Sequence, residues 1–390
     1  MKSICGVALA LLAAAGVTSG AEIRAATPAA IRAALVAAKP GDTILVPPGV
    51  YDMGSEVSTG KDGTKDQPIT LRCEGDKGYA TLHAKSQIAF RMKNRHWVFR
   101  GIHFQGDARS TEAVVFPDGP GGCSDVLITD CKMSTCNYYV MKASRSRDKG
   151  VNNMVIEFTE LFDCAGTGFD LVCGDNWVLR RCYVHDYAKS PREASYGIFL
   201  KGGGKNGIVE GCIVDGKSKG TTLGISFGGG LTGAKWLPLG PNGKVGPEHD
   251  GGIARNNIVV NTTDSAYHTN NAANCKFYNN LAFNCRTFQR QASYPKDPVL
   301  INNLIGGNVT KGASESKNNL TDVKKEWFVN PALNDFRLTD QGKTALVGKG
   351  LALPDNPTDF FGTKRDPATP TLGPVLPDAK ASTQWVDRRK

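Results

Sequence analysis

Apolar positions change period once along this chain. Thr27-Pro28 followed by Ile31, Ala34, Leu35 and Ala38 keeps helical spacing. That pattern predicts a short amphipathic helix with Thr27 as N-cap and Pro28 in the first turn. The next stretch, "PGDTILVPPGVYD", reads as turn, strand, turn. Beyond it no segment keeps a helical period. Short apolar runs alternate with Gly, Asn and Asp, the pattern of brief strands between tight turns.

The runs repeat. Aligning "WVFRGIHF", "VLITDCKM", "MVIEFTEL", "WVLRRCYV", "GIVEGCIV", "GIARNNIV", "CKFYNNLA" and "PVLINNLI" gives one column of Ile102, Cys131, Thr159, Cys182, Cys212, Asn257, Asn280 and Asn303. Successive members lie 23–30 residues apart, with one step of 45. A repeat of that length marks a solenoid. These patterns predict an all-β right-handed parallel β-helix of about ten coils. Equivalent residues then stack at the interstrand spacing of ~4.8 Å. Asn257, Asn280 and Asn303 can bond their copies on adjacent coils. The cysteines fill the same slots upstream as small buried thiols. Cys136 and Cys164, from a second column, come within bridging reach, which leaves a bond between them open. No Cys-x-x-Cys pair suggests zinc. The helix caps the first coil against edge pairing. From Thr321 the Pro- and Asp-rich sequence reads as a loose wrap over the last coils. The expected organisation is one domain over 22–375 and a mobile tail over 376–390.

Lys2, the apolar run Val7–Ala15 and Ser19-Gly20-Ala21 before Glu22 have the form of a signal peptide over 1–21. The run is too short to span a membrane. The expected product is exported, secreted or periplasmic, and monomeric. Of the eleven cysteines, Cys5 alone lies in the leader. A net charge of +10 suits a polyanionic partner. The positive charge is scattered and carries no nucleic-acid motif, so an acidic polysaccharide is favoured over nucleic acid.

Each coil also carries a strand before the column: "YYVMK", "GFDLV", "YGIFLK", "LGISFG", "AYHTN" and "FQRQ". Alternation puts Phe169, Ile198, Ile225 and Tyr267 inward. It puts Asp170, Phe199, Ser226 and His268 outward, with Lys142, Val172, Lys201, Gly228 and Asn270 beside them. Lys201 is followed by three glycines, and the next coil adds "SFGGGLTG". Such bareness suits the floor of a groove that a polymer can approach, although glycine-rich turns are also common in solenoids. Two loops flank this place: "YAKSPREAS", and the insertion "LTGAKWLPLGPNGKVGPEHDGG" that accounts for the step of 45.

The candidate catalytic residues are Lys201, Tyr196, His268 and His249. The candidate substrate contacts are Lys142, Arg192, Arg290, Trp236 and Asp170. Each also has a structural reading: a solvated lysine, a packed tyrosine, a histidine bonded to a turn, a tryptophan pinning its loop. Carboxylates are few, and no flanking pair of the kind a glycoside hydrolase needs is evident. β-Elimination on a uronic acid needs a cation for the substrate carboxylate, a base for the C5 proton and an acid for O4. The residue types present match that set. No cofactor is required, though Glu248 with Asp250 could hold Ca²⁺ through oxygen ligands.

"AAKPGDTILVPPGVYDMG", "QPITLRCEG" and "WVFRGIHFQG" resemble the opening coils of bacterial right-handed β-helix polysaccharide lyases, the alginate-lyase and chondroitinase-B-like group. The resemblance covers roughly residues 27–375. The Asn-Gly-x-Glu run and metal-binding acids of the chondroitinase-B-like enzymes are absent, as are the Asp-Pro-His-Asp run of mannuronan epimerases and the aspartate set of polygalacturonases. Some alginate lyases of this fold use a tyrosine and a lysine, which the resemblance places at Tyr196 and Lys201. Strict alternation would put these two on opposite faces, which makes His268 the first alternative partner. The function expected is a polysaccharide lyase acting on a uronate polymer, alginate first. A C5-epimerase and a non-catalytic glycan-binding protein are the alternatives.

Overall fold

The computed structural model describes residues 20–118, 122–144, 151–189, 194–218, 220–229, 232, 237, 239, 243, 245–290, 298–307, 309, 315–377 and 388–389, without the side chains of 144, 287, 289 and 290. Residues 1–19, most of the leader expected over 1–21, and most of the tail lie outside the described residues.

Three parallel sheets of twelve, nine and ten strands wrap one core, and the strands of each sheet follow chain order. This is the β-helix expected from the repeat. The inward column holds. Phe169 pairs with Ile198, Ile198 with Ile225, and Ile225 with Tyr267, all buried. Helix Pro28–Ala37 closes the first coil with Ile31, Ala34 and Leu35, and the Thr27 hydroxyl accepts the Ala30 N–H at 3.2 Å. No helix among the described residues is long and apolar enough to cross a membrane.

The asparagine ladder forms as expected and runs one rung further. The Oδ1 atoms of Asn257, Asn280, Asn303 and Asn319 accept the N–H groups of Cys212, Asn257, Asn280 and Asn303 at 2.9–3.0 Å. Each Nδ2 donates to a carbonyl of the preceding coil: Val209, Ala254, Phe277 and Leu300. Upstream, the thiols of Cys131, Cys182 and Cys212 point at the equivalent carbonyls of Phe99, Ile156 and Leu179. Cysteine therefore replaces the donor arm of asparagine in the same slot. Cys136 and Cys164 pair in register as free thiols with their sulfurs 3.1 Å apart.

The C-terminal wrap is packed rather than loose. Phe328, Phe336, Leu338, Leu346, Phe360, Leu372 and Val375 form a second apolar cluster with Ile213, Ile258, Val260, Leu281 and Leu304 on the outer face of the ten-stranded sheet. Half-buried Arg365 ties the wrap to a coil corner. It donates to Asn256 Oδ1 at 2.8 Å and to the Thr358 and Gly373 carbonyls at 2.9 and 3.0 Å. Within 376–390, the segment expected to be mobile, the described residues Arg388 and Arg389 meet an early coil. Arg389 is 4% exposed and donates to the Gly78 and Gly75 carbonyls at 2.6 and 2.9 Å. Arg388 lies 3.5 Å from the buried Asp130 carboxylate.

Candidate active site

The outward face of the nine-stranded sheet carries a line of polar and aromatic groups. Coil-to-coil pairing sets Lys142 beside Asp170, Asp170 beside Phe199, Phe199 beside Ser226, and Ser226 beside His268. The expected Asp170–His268 column is therefore present. Lys142 was expected one column over, with Lys201; the pairing of inward Met141 with inward Phe169 moves it beside Asp170. Lys201 stands two residues beyond Phe199 and pairs with Val172.

Charge is concentrated at Asp170, which is 3% exposed. Lys142 Nζ contacts Asp170 Oδ2, and Lys201 Nζ lies 3.6 Å from Oδ1. Each ammonium also rides over an aromatic ring, Lys142 over Tyr139 at 4.5 Å and Lys201 over Phe199 at 4.4 Å. Burial pulls the Lys201 pKa below the ordinary lysine value. Asp170 works against that shift and Lys142 works with it.

Tyr196 reaches the same face. Its ring stacks on Phe199 at 3.8 Å and lies 6.3 Å from the His268 ring. Alternation fails because Gly197 occupies a corner where a Cβ would lie 2.4 Å from the buried Val214 side chain. Gly197 and Ile198 thus both face the interior, and Tyr196 comes out on the side of Phe199. Burial, then Asp264 and Asp170, push the Tyr196 pKa up to about 12, so the phenol keeps its proton near neutrality. His268 is 1% exposed, with Nδ1 2.8 Å from Ser226 Oγ. That hydroxyl donates to the Gly228 carbonyl at 2.9 Å, so Nδ1 carries the imidazole proton.

Other expected members lie elsewhere. His249 is fully buried in a small sheet with Gly204–Lys205 and Ala272–Ala273. It stacks on Phe227 at 5.1 Å, and Nε2 accepts the Gly207 N–H at 3.3 Å. Burial drives its pKa down to about 3, so it is a neutral core residue. Arg192 and Trp236 lie outside the described residues. The backbone of Arg290 pairs with Thr269, one residue past His268, and its side chain lies outside the described set. The glycines do not form an open floor. Gly202, Gly204, Gly228 and Gly229 are buried, and a Cβ on Gly229 would lie 2.2 Å from the Phe199 ring. The space that Gly229 clears is filled by the Phe199 ring beneath Lys201, and Gly202, Gly204 and Gly228 lie against Val172, Gly174 and Asn270.

Tyr139 and Phe199, the ring platforms, had no role in the sequence reading. Their signal was a ring two or three residues before each lysine. Glu248 and Asp250 serve separate amide donors. Glu248 accepts the Gly202 and Thr232 N–H groups, and Asp250 accepts from Asn274 Nδ2 at 2.7 Å. Among the described residues no group of three or more His, Cys, Asp or Glu could hold a metal ion. A cavity of about 310 Å³ opens under the wrap between Arg180, Arg181, Glu210 and Asp359. Two of its charges are already paired, Arg180 with Glu157 and Glu210 with Arg255, each at 2.6 Å, and Asp359 accepts the Phe361 and Thr363 N–H groups.

Residues 116–231 match the family described as a right handed beta helix region. The structure is similar to the alginate lyase from Paenibacillus sp. str. FPU-7, with 18% identity, a TM-score of 0.52, and 76% of this chain and 97% of that chain covered. It is also similar to pectate lyase Pel9A, with 12% identity, a TM-score of 0.55, and 92% and 96% covered. The Acinetobacter baumannii phage AM24 tailspike protein shares the fold too, at 13% identity and a TM-score of 0.51, with 76% and 51% covered. No curated protein matches the chain. The shared feature is the parallel β-helix, a scaffold that carries more than one activity.

Proposed function

We propose that this chain is a polysaccharide lyase that cleaves a uronate polymer, alginate first, by β-elimination. The observation that carries the reading is a single outward face that collects two lysines, one buried carboxylate and a protonated phenol. The fold shared with two structures named as lyases supports it. A hydrolytic reading is disfavoured by the carboxylates. Asp170 is held by two lysines and Glu248 by two amides, and both are buried.

In the proposed reaction Lys142 faces the substrate carboxylate and neutralises it, which acidifies the C5 proton. Lys201, in its neutral form, takes that proton at Nζ. The C5–H electron pair forms the C4–C5 double bond and the C4–O4 bond breaks. O4 receives the phenolic proton of Tyr196. His268 lies beside Tyr196, with ring centroids 6.3 Å apart. We further propose that the protein is exported and acts as a monomer, with Lys142 supplying the cation that a metal supplies in other sites.

The test is ultraviolet absorbance during incubation with polymannuronate, polyguluronate, pectate, glucuronan, chondroitin sulfate and heparan sulfate. A rise from a 4,5-unsaturated uronate is expected with one uronate polymer. No rise with any of them rejects the lyase. Exchange of the C5 proton without absorbance would indicate the epimerase, and binding without either would indicate a glycan-binding protein.

A further inference from the structure

Glu248 has no part in the reaction above, yet it is one of the most tightly held carboxylates in the molecule. It is 2% exposed. Its Oε2 accepts the Gly202 N–H at 3.0 Å and its Oε1 accepts the Thr232 N–H at 3.2 Å. Its own carbonyl accepts the Gly203 N–H at 2.8 Å, and its N–H donates to the Asn271 carbonyl at 2.7 Å. One residue therefore joins the turn directly after Lys201, the start of the long insertion and the next coil. Gly202 has a φ of +74°, a left-handed turn that its neighbours must hold in place. A carboxylate stays in such a dry place only where N–H donors meet it.

We infer that Glu248 is the positioning residue of Lys201, fixing the turn that follows the lysine and setting the charge behind its ammonium. The inference rests on the reading of Lys201 as the base. Among the described residues Asp170 and the Phe199 ring contact that ammonium, and Lys142 and Glu248 are the other charged groups that act on it. Asp170 and Glu248 favour the charged amine, and Lys142 opposes it. Removing the Glu248 charge while keeping its shape therefore makes Lys201 easier to deprotonate. Removing a donor to Glu248 loosens the turn and leaves the charge.

The experiment combines turnover with the pH dependence of Lys201 acylation by an amine-reactive ester, read by peptide mass spectrometry. Glu248→Gln keeps one acceptor oxygen and turns an NH₂ donor toward the other backbone N–H, so the turn loosens and kcat is expected to fall about ten-fold with KM nearly unchanged, the penalty of a misplaced base. Its Lys201 acylation midpoint moves to lower pH. Glu248→Asp keeps the charge and returns the midpoint toward the parent value. Thr232→Pro removes one N–H donor, and Lys201 acylates at least about two-fold faster with its midpoint near the parent. Acylation profiles of Glu248→Gln and Thr232→Pro that superimpose on the parent overturn the inference. If the Glu248 variants fail to fold, an unchanged Thr232→Pro profile does the same. If the parent shows no lyase activity, the proposed reaction falls, and the acylation profiles alone decide whether Glu248 positions Lys201.

Discussion

Lys201 and Asp170 illustrate how much one buried contact decides. Asp170 is the counter-ion shared by two lysines that are themselves mostly buried. Asp170→Asn leaves two ammonium groups without it and should cost about 3 kcal/mol in urea unfolding. The same change removes a group that holds the Lys201 proton, so the rising limb of activity with pH should move to lower pH. In the parent, activity should rise as pH climbs toward the depressed Lys201 pKa, because the neutral amine is the reactive form. A flat profile from pH 6 to 9 would sink the assignment of Lys201 as base. His249 gives a stability test. Its folded pKa of about 3 lies below the ordinary 6.5, so its contribution is present above 6.5 and is lost as pH falls toward 3. His249→Gln should flatten the acid limb of stability by up to about 1.4 kcal/mol per pH unit in that window. Unfolding midpoints at pH 7 and 4.5 measure it. The sequence offered both His249 and His268 as catalytic candidates, with His268 preferred as the alternative partner of Lys201. Periodicity placed His268 but not His249, because His249 sits on a short extra sheet born of the insertion, where no repeat sets the facing.

At the scale of the element, the coil corners were legible and the register was partly so. The asparagine column could be read because the slot recurs and its chemistry is self-complementary. Asn319 escaped because the last coil is short, only 16 residues from Asn303. Asn280→Ala strips the Ala254 carbonyl and the Asn257 N–H of their partners at once. The cost should be about 2–4 kcal/mol, read as a fall in unfolding midpoint. A loss below about 0.5 kcal/mol would mean that the ladder follows the coil rather than fixing it. Tyr196 shows the limit of alternation. The rule of two fails at Gly197, where the strand enters the sheet from a corner. A glycine before an apolar pair was the available hint. The column error at Lys142 has a similar source, since a lone lysine fits either of two outward columns and only its inward neighbour Met141 decides.

For the whole molecule, the fold class and the candidate face could be reached from the repeat and the cap from helical spacing, whereas the closure of the far end could not. The wrap reads as irregular because its apolar residues follow no period, yet they land on a regular apolar outer face. Arg388 and Arg389 were unreadable for a different reason. Their partners are carbonyls of Gly75 and Gly78 and the carboxylate of Asp130, more than 250 residues away. Arg388→Ala with Arg389→Ala should leave Asp130 with Arg100 alone and strip the Gly75 and Gly78 carbonyls of the Arg389 donors, lowering stability by about 1–3 kcal/mol, with faster proteolytic nicking near residue 78. Unchanged nicking would show that the docking is incidental. The consequence reaches into biosynthesis. A solenoid made from its N-terminus can wind each coil onto the last as it emerges, with little long-range search. The join between Arg389 and Gly78 breaks that sequential order: an early coil receives its final fastening only after residue 389 has been synthesised, so a nascent chain stalled before that point holds a wound but unlocked solenoid.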